Sequence, residues 1–211
     1  MNRTKQITDY LKARYAILVI ETFEEERALS EISEIAKALS HRLFVWNSTV
    51  GVQINGVVSG DKTFDLKMAL DFCEEKAKEE GSKNIFVFCD AHNYLTSSSN
   101  PVYRRRLRDL AINIRSRGYR SNCIIVAPSF EVANDLQKEI TLIDFPLPSR
   151  DEVKDQINNF VNSWQGNSSV KIDLTAETKE KLIDAALGLT GLEIDNSLSR
   201  SLVSRDRKSV V

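Results

Sequence analysis

Four glutamates follow the first apolar run of this chain, at a position where an α/β protein could bind phosphate. The run is Tyr15-Ala-Ile-Leu-Val-Ile20, and it continues into Glu21-Thr-Phe-Glu-Glu-Glu-Arg27. A phosphate-binding loop needs glycines followed by Lys-Ser/Thr directly after such a strand, because backbone N–H groups must approach the phosphates and a lysine must neutralise them. This segment has no glycine, and Gly-Lys-Ser/Thr occurs nowhere in the chain.

The charge of the same segment also opposes phosphate binding. Carboxylates a few Å from phosphates, at the low effective dielectric of a crevice, would repel them by roughly several kcal/mol. The acids also have an ordinary structural explanation, since an acid-rich first turn complements the dipole of a helix. We therefore predict that the chain alone neither binds a triphosphate tightly nor hydrolyses one, and we assign it no catalytic residue.

Two polar residues follow later apolar runs, at strand ends where open parallel sheets bind ligands. Asp90 follows Asn84-Ile-Phe-Val-Phe-Cys89, and an acid at this position could support a magnesium ion. Ser129 follows the next run and could contact the end of a phosphate chain. Capping of the following loop is the structural alternative for Asp90. Asp90 and Ser129 are the candidate cofactor-binding residues.

An arginine-rich helix is the strongest charged feature, with seven arginines within 17 residues from Arg104 to Arg120 against one acid, Asp109. Such a helix could dock phosphates or an acidic partner. Helical spacing gathers its apolar residues on one side, so a solvated or interface-facing helix is the structural alternative. The candidate partner-binding residues are Arg104, Arg105, Arg108 and Arg115.

Composition limits the other classes of function. The 211 residues, 42% of them hydrophobic, can bury a sizeable core, and a formal net charge of −1 gives no general attraction to nucleic acid or membranes. The two histidines are far apart, so no metal site is predicted. Three separated cysteines in apolar runs indicate buried reduced thiols. With no apolar run long enough to span a membrane, the expected location is the cytoplasm or an equivalent reducing compartment.

Apolar runs alternate with helical patterns along most of the chain. This alternation predicts a doubly wound α/β fold with a mainly parallel five-stranded sheet. The segment 47–61 is predicted as a loop or small hairpin, and a short helix is predicted around 131–137. The predicted strands are 15–20, 42–46, 84–89, 122–127 and 140–144, and the longer helices are 3–13, 22–39, 63–80, 101–117 and 149–164.

The C-terminal part of the sequence has a different organisation. Residues 165–171 are rich in glycine, asparagine and serine and are predicted to be a linker. They separate an α/β domain at 1–164 from a small helical subdomain at 172–211. That subdomain is predicted to contain helices at about 175–187 and 191–204, followed by a frayed tail.

Seven collinear segments of the chain resemble the N-terminal half of a cyanobacterial and plastid family of AAA-type ATPases. The resemblance implies an AAA/RecA-like fold in which a module without the phosphate-binding loop precedes a complete AAA module, and in which the C-terminal helices form a lid. ATP and magnesium are implied only through this resemblance. The segments are Tyr15–Arg27, Val45–Trp46, Val87–Asp90, Leu107–Leu110, Ile125–Pro128, Asp144–Pro148 and Ala185–Thr190.

The sequence therefore predicts a regulatory or adaptor module that supports an AAA ATPase module or the assembly of a ring. Its partner would be such a module or further copies of the chain, contacted through the arginine-rich helix or the acidic turn. Two alternatives remain open. The arginine-rich helix could bind nucleic acid, although no aromatic platform is interleaved with it, or the chain could bind nucleotide unconventionally through Asp90.

Overall fold

All five predicted parallel strands are present in the computed structural model, which describes residues 3–59, 63–164 and 174–206. A unit at Met1–Phe145 contains the sheet, and a second unit spans Pro146–Val211. The first unit contains α1 (Arg3–Lys12), β1 (Ile17–Glu21), α2 (Glu25–Ala38), β2 (Arg42–Asn47), β3 (Gly51–Ile54), β4 (Val57–Val58), α3 (Leu66–Lys78), β5 (Lys83–Phe88), a 3-10 turn (Ala91–Tyr94), α4 (Pro101–Ser116), β6 (Arg120–Ala127) and β7 (Ile140–Ile143).

The strand order is β4-β3-β2-β5-β6-β1-β7. The neighbours from β2 to β7 all pair in parallel, which confirms the predicted doubly wound sheet. The hairpin allowed for at 47–61 adds two antiparallel strands at one edge, so the sheet has seven strands and not five. Because β1 lies between β6 and β7, its carboxyl end opens beside the segment that follows β6.

Helices cover both faces of the sheet. Side chains alternate along a strand, so Ile17 and Val19 of β1 join the layer formed with α3 and α4, while Leu18 and Ile20 join the layer formed with α1 and α2. These four β1 side chains are completely buried. Continuous apolar runs predicted this burial on both faces.

Two local predictions differ from the structure. The segment 131–137 is a series of turns and not a helix, although Leu136 within it is fully buried. So short a segment cannot offset the cost of helix nucleation. The helix predicted to begin at residue 22 begins at Glu25, with Glu24 as its N-cap, and the Thr22 hydroxyl accepts a hydrogen bond from Glu24 N.

The second unit contains α5 (Arg150–Ser163), α6 (Ala176–Ala186) and α7 (Gly191–Asp206). The sequence predicts that 149–164 belongs to the α/β domain, but the structure divides the chain after Phe145. The reason is that α5 buries its apolar side against α6 and α7, so the three helices share one core. The predicted linker at 165–171 lies outside the described residues. The shared core consists of Val153, Ile157, Ile183, Ala186, Ile194 and Leu198.

None of the helices in the described part of the chain is both long enough and apolar enough to cross a lipid bilayer.

Candidate functional site

The turn between β1 and α2 uses its own backbone donors. The N–H of Thr22 donates to the Ala127 carbonyl (2.8 Å), which keeps the chain attached to β6 just beyond β1. The N–H of Glu24 donates to the Thr22 hydroxyl (3.0 Å). A phosphate-binding loop directs such N–H groups at the ligand, whereas these two are already bonded within the protein.

Glu21, the last residue of β1, connects the carboxyl end of β1 to the segment that follows β6. Its Oε1 accepts a hydrogen bond from the backbone N–H of Phe130 (2.6 Å), 109 residues further along the chain. Ser129, the candidate phosphate-contacting residue, directly precedes this bond and is exposed. An N–H beside Ser129 therefore binds a carboxylate of the chain itself.

Glu24 forms an ion pair with Arg27, one turn further along α2. The Glu24 side chain is only 7% exposed. The guanidinium of Arg27 lies over the ring of Phe145, 4.5 Å from its centroid, and that of Arg3 lies 4.4 Å from the same centroid. Arg27 is the only basic residue between positions 21 and 27, and its charge compensates Glu24.

Glu25 extends the acidic surface toward the end of β5. The pKa of the Cys89 thiol is raised by burial, then by the negative charge of Glu25 and a hydrogen bond with it. A thiol held in its protonated form is a poor nucleophile and a poor metal ligand. Cys73 and Cys123 are also buried and free, and burial raises the pKa of each. Cysteine chemistry is therefore not favoured at any of the three positions.

Asp90 follows β5 in the left-handed backbone region, with φ = 56°. Its carboxylate accepts hydrogen bonds from the Ser48 hydroxyl (3.0 Å) and the Ser48 N–H (3.4 Å). Ser48 follows β2, on the side of β5 away from β6. Asp90 and Ser129 thus lie at the same carboxyl end of the sheet. The hydrogen-bond donors of Asp90, however, belong to Ser48 after β2 and not to the turns that follow β1 and β6.

These residues do not fit a magnesium triphosphate. The turn carries three acids, Glu21, Glu24 and Glu25, and both Arg27 and two N–H groups are engaged within the chain. Among the described residues, no group of three or more His, Cys, Asp or Glu side chains is arranged to hold a metal ion. No step of ATP chemistry can be derived for this crevice.

Arg104 contributes to internal structure. Its guanidinium donates to the carbonyls of Thr96 (2.6 Å) and Ser99 (3.0 Å) and to the carboxylate of Asp135 (3.1 Å). The side chain is 11% exposed. Arg104 therefore holds the loop before α4 in place.

The other three candidate arginines are more exposed but also face acids. Arg105 pairs with Asp109 (2.8 Å), and Arg108 and Arg115 both approach Glu139 (3.5 and 2.5 Å). Because each of these cations has an acidic neighbour within the chain, ion pairing inside the protein accounts for much of the positive charge of α4. A phosphate backbone would have to compete with these acids.

Two features of the β1–α2 turn could not be found by sequence reasoning. The stacking of Arg27 on Phe145 joins residues 118 positions apart, and no local pattern signals such a contact. Phe23 is 85% exposed at the tip of the turn. Its position in an acid-rich segment, Thr-Phe-Glu-Glu, was the available signal.

Comparison with known families gives two adjoining matches. The N-terminal domain model of the SpoVK-like AAA ATPases matches residues 3–145, and the second-domain model of the same family matches residues 151–208. The interval between the matches contains the division that the structure makes after Phe145.

Curated relatives include the AAA domain-containing protein ycf46 of three organisms. The Guillardia theta protein is 26% identical over 97% of this chain, the Pyropia yezoensis protein 29% over 90%, and the Trieres chinensis protein 27% over 92%. The resemblance drawn from the sequence is confirmed. This chain spans only 38%, 36% and 37% of the lengths of these relatives.

Solved structures share the fold. A chain of the Escherichia coli MS115-1 HORMA:CdnC:Trip13 complex aligns with 96% of this chain and 80% of its own length, at a TM-score of 0.59 and 10% identity. The FIGL-1 AAA domain in complex with ADP aligns with 86% of this chain and 57% of its own length, at a TM-score of 0.58 and 11% identity.

Proposed function

We propose, from the premise that this chain belongs to the SpoVK-like AAA ATPase family, that it is a module without nucleotide chemistry of its own. It would support an ATP-hydrolysing AAA module, either by regulating that module or by helping a ring to assemble. A module that keeps the fold but not the chemistry can still supply a shaped surface to a partner.

The hydrogen bond from Phe130 N–H to the Glu21 carboxylate is the observation that carries this proposal. It spans the crevice between β1 and β6 with a negatively charged group. The neighbouring Glu24–Arg27 pair occupies the start of α2. A nucleotide would have to displace the first contact and approach the acid of the second.

The proposed contact surface is the acidic turn Thr22–Glu26, in which Phe23 is 85% exposed. An exposed aromatic side chain within a polar rim is typical of a protein interface anchor. The arginines of α4 are the second proposed surface, through Arg105, Arg108 and Arg115. Arg104 is omitted because its guanidinium binds two loop carbonyls.

Calorimetric titration of Mg-ATP into the chain tests the absence of nucleotide binding. We expect no saturable heat, and the double variant Glu21→Gln/Glu24→Gln should show whether removing negative charge alone creates binding. A saturable signal in the unchanged chain, together with ordered phosphates beside Glu24 in a crystal, would contradict the proposal.

The supporting role can be tested with a longer relative. The ycf46 protein of Guillardia theta would be prepared whole and without the region that matches this chain, and the ATPase rate and molecular mass of both forms would be measured. We expect the shortened protein to lose assembly or regulated ATPase activity and to recover it when the removed region is added back. Unchanged rate and mass would refute the supporting role.

A further inference from the structure

A basic cavity of about 180 Å³ lies at the amino ends of the parallel strands, whereas Glu21 lies at their carboxyl ends. It lies where α1 and α2 end and where β5 and β6 begin. A water molecule occupies roughly 30 Å³ of liquid, so the cavity can hold a small ligand. Its lining residues are Leu11, Lys12, Arg14, Leu39, His41, Lys83, Arg120, Ser121 and Asn122.

The charge of the lining is of one sign. It contains four cationic side chains and a histidine, and no carboxylate. Across the described residues, none of the four cations forms an ion pair with an acid of the chain, in contrast to the arginines of α4, which face Asp109 or Glu139. The four cations are Lys12, Arg14, Lys83 and Arg120.

Helix dipoles account for part of this arrangement only. Basic residues near the carboxyl end of a helix are stabilised by its dipole, which explains Lys12 and Arg14 beside the end of α1. Lys83 and Arg120 are instead the first residues of β5 and β6. A helix dipole does not explain the position of these two cations, and like charges that lie close together repel each other.

The cavity floor is polar and held in place. Ser121 is 2% exposed, and its hydroxyl accepts a hydrogen bond from Asn84 Nδ2 (3.0 Å). Asn84 Nδ2 also donates to the Lys76 carbonyl at the end of α3 (3.1 Å), so the Ser121 hydroxyl lies on the α3 face of the sheet. The neighbouring Asn122 lies on the α1 face. Asn122, 3% exposed, is fixed by donating to the Tyr15 carbonyl (2.9 Å).

His41 adds a group that responds to charge. Burial lowers its pKa, a hydrogen bond with the Leu39 carbonyl (2.9 Å) opposes that effect, and the charge of Lys83 lowers it further. Lys12, Arg14 and Arg120 line the same cavity. An anion in the cavity would favour protonated His41.

We infer that this cavity binds a small, multiply charged oxyanion of the phosphate class, such as a diphosphate or a phosphorylated metabolite. Lys83 and Arg120 would contact the anion through charge-assisted hydrogen bonds, and Lys12 and Arg14 would add positive charge from the end of α1. This site is separate from the crevice at Glu21 and does not depend on the supporting role proposed above.

Calorimetric titration of inorganic pyrophosphate into the whole chain tests the inference. We expect saturable binding that weakens about tenfold or more in Lys83→Ala/Arg120→Ala, because charged hydrogen bonds are lost. The control Lys37→Ala/Lys181→Ala removes the same charge from exposed pairs outside the cavity and should change affinity less than about twofold. Circular dichroism would verify that both variants are folded.

Proton NMR of His41 gives an independent readout. Pyrophosphate should raise the pKa of His41, and the rise should be lost in Lys83→Ala/Arg120→Ala. The absence of saturable heat, equal losses in both double variants, or an unchanged pKa of His41 at saturating pyrophosphate would overturn the inference.

Further probes separate the sources of the anion. Binding of glucose 6-phosphate that also depends on Lys83 and Arg120 would support the site and identify a phosphorylated metabolite as one source. A twelve-nucleotide single strand that binds far more tightly than pyrophosphate, with a steep salt dependence, would overturn a small-anion site in favour of a nucleic-acid surface.

Discussion

The carboxylate of Glu21 at the end of β1 accepts a hydrogen bond from the N–H of Phe130 beyond β6, at 2.6 Å. The bond joins two segments that border the crevice of an AAA fold. It fixes the end of β1 to the segment after β6 by a contact within the chain.

Replacing Glu21 by Ala should destabilise the first unit by about 1–2 kcal/mol, because a hydrogen bond to a charged acceptor is lost. Urea unfolding followed by circular dichroism would measure the loss. Glu26→Ala is the matched control, since Glu26 is an exposed acid in the first turn of α2. It should cost less than about 1 kcal/mol, and an equal effect in both variants would refute a specific role for Glu21.

Arg106 should be the arginine of α4 that matters most for stability. It pairs with Asp71 and Glu74 of α3 and is 17% exposed. Arg106→Ala should cost about 1–3 kcal/mol in chemical denaturation, because it removes one of the three partners of the largely buried Glu74. The other two partners are Lys78 and Asn113. The exposed pair of Arg105 with Asp109 provides the control, since Arg105→Ala should cost less than about 1 kcal/mol.

The contribution of Arg106 should depend on pH. Burial alone would raise the pKa values of Asp71 and Glu74. Hydrogen bonds from lysines and Arg106 outweigh burial, so the pKa of each carboxyl lies below its ordinary value. Carboxylates with lowered pKa values stabilise the fold above those ordinary values and lose this effect as the pH falls through the lowered values. The stability difference between wild type and Arg106→Ala should therefore be constant near pH 7 and shrink below about pH 4.

The three thiols should be unreactive in the folded chain. Cys73, Cys89 and Cys123 are buried and their pKa values are raised by burial, so little thiolate forms at pH 8. Titration with a disulfide reagent should detect almost no thiol in native protein and three in guanidinium chloride. Fast reaction of one thiol in the native chain would show that its site opens readily.

Substitution of Phe23 should weaken partner binding without changing the stability of the fold. Because its side chain is 85% exposed, Phe23→Ser should change the free energy of unfolding by less than about 0.5 kcal/mol. The same change should weaken assembly with an AAA module, measured by light scattering. Val57→Ser, at an exposed position of the edge strand β4, is the control and should leave assembly unchanged.

Truncation of Ile157 should destabilise the helical unit, whereas truncation of Leu192 should not. Ile157 is fully buried in the core shared by α5, α6 and α7, whereas Leu192 is 71% exposed. Ile157→Ala should cost about 2–4 kcal/mol and speed hydrogen exchange in peptides from 150–163 and 176–202. Faster exchange confined to 150–163 would contradict a single core for the three helices.

The sequence alone determined the sheet and the family. Continuous apolar runs specify strands buried on both faces, and glutamates in place of glycines and lysine are visible without coordinates. The same local information failed for the boundary after Phe145. Whether α5 joins the sheet or the last two helices depends on the partners of Val153 and Ile157, which are distant in the chain.

Tertiary structure decided how the charges are used. Seven arginines in a short segment indicate a binding surface when only sequence spacing is known, but folding places Asp135 beside Arg104 and Glu139 beside Arg115. Lys83 and Arg120 are 37 residues apart in the sequence and meet only because the parallel strands β5 and β6 begin at the same end of the sheet. Electrostatic interactions depend on distance in space, and distances between residues far apart in the chain are set by the fold.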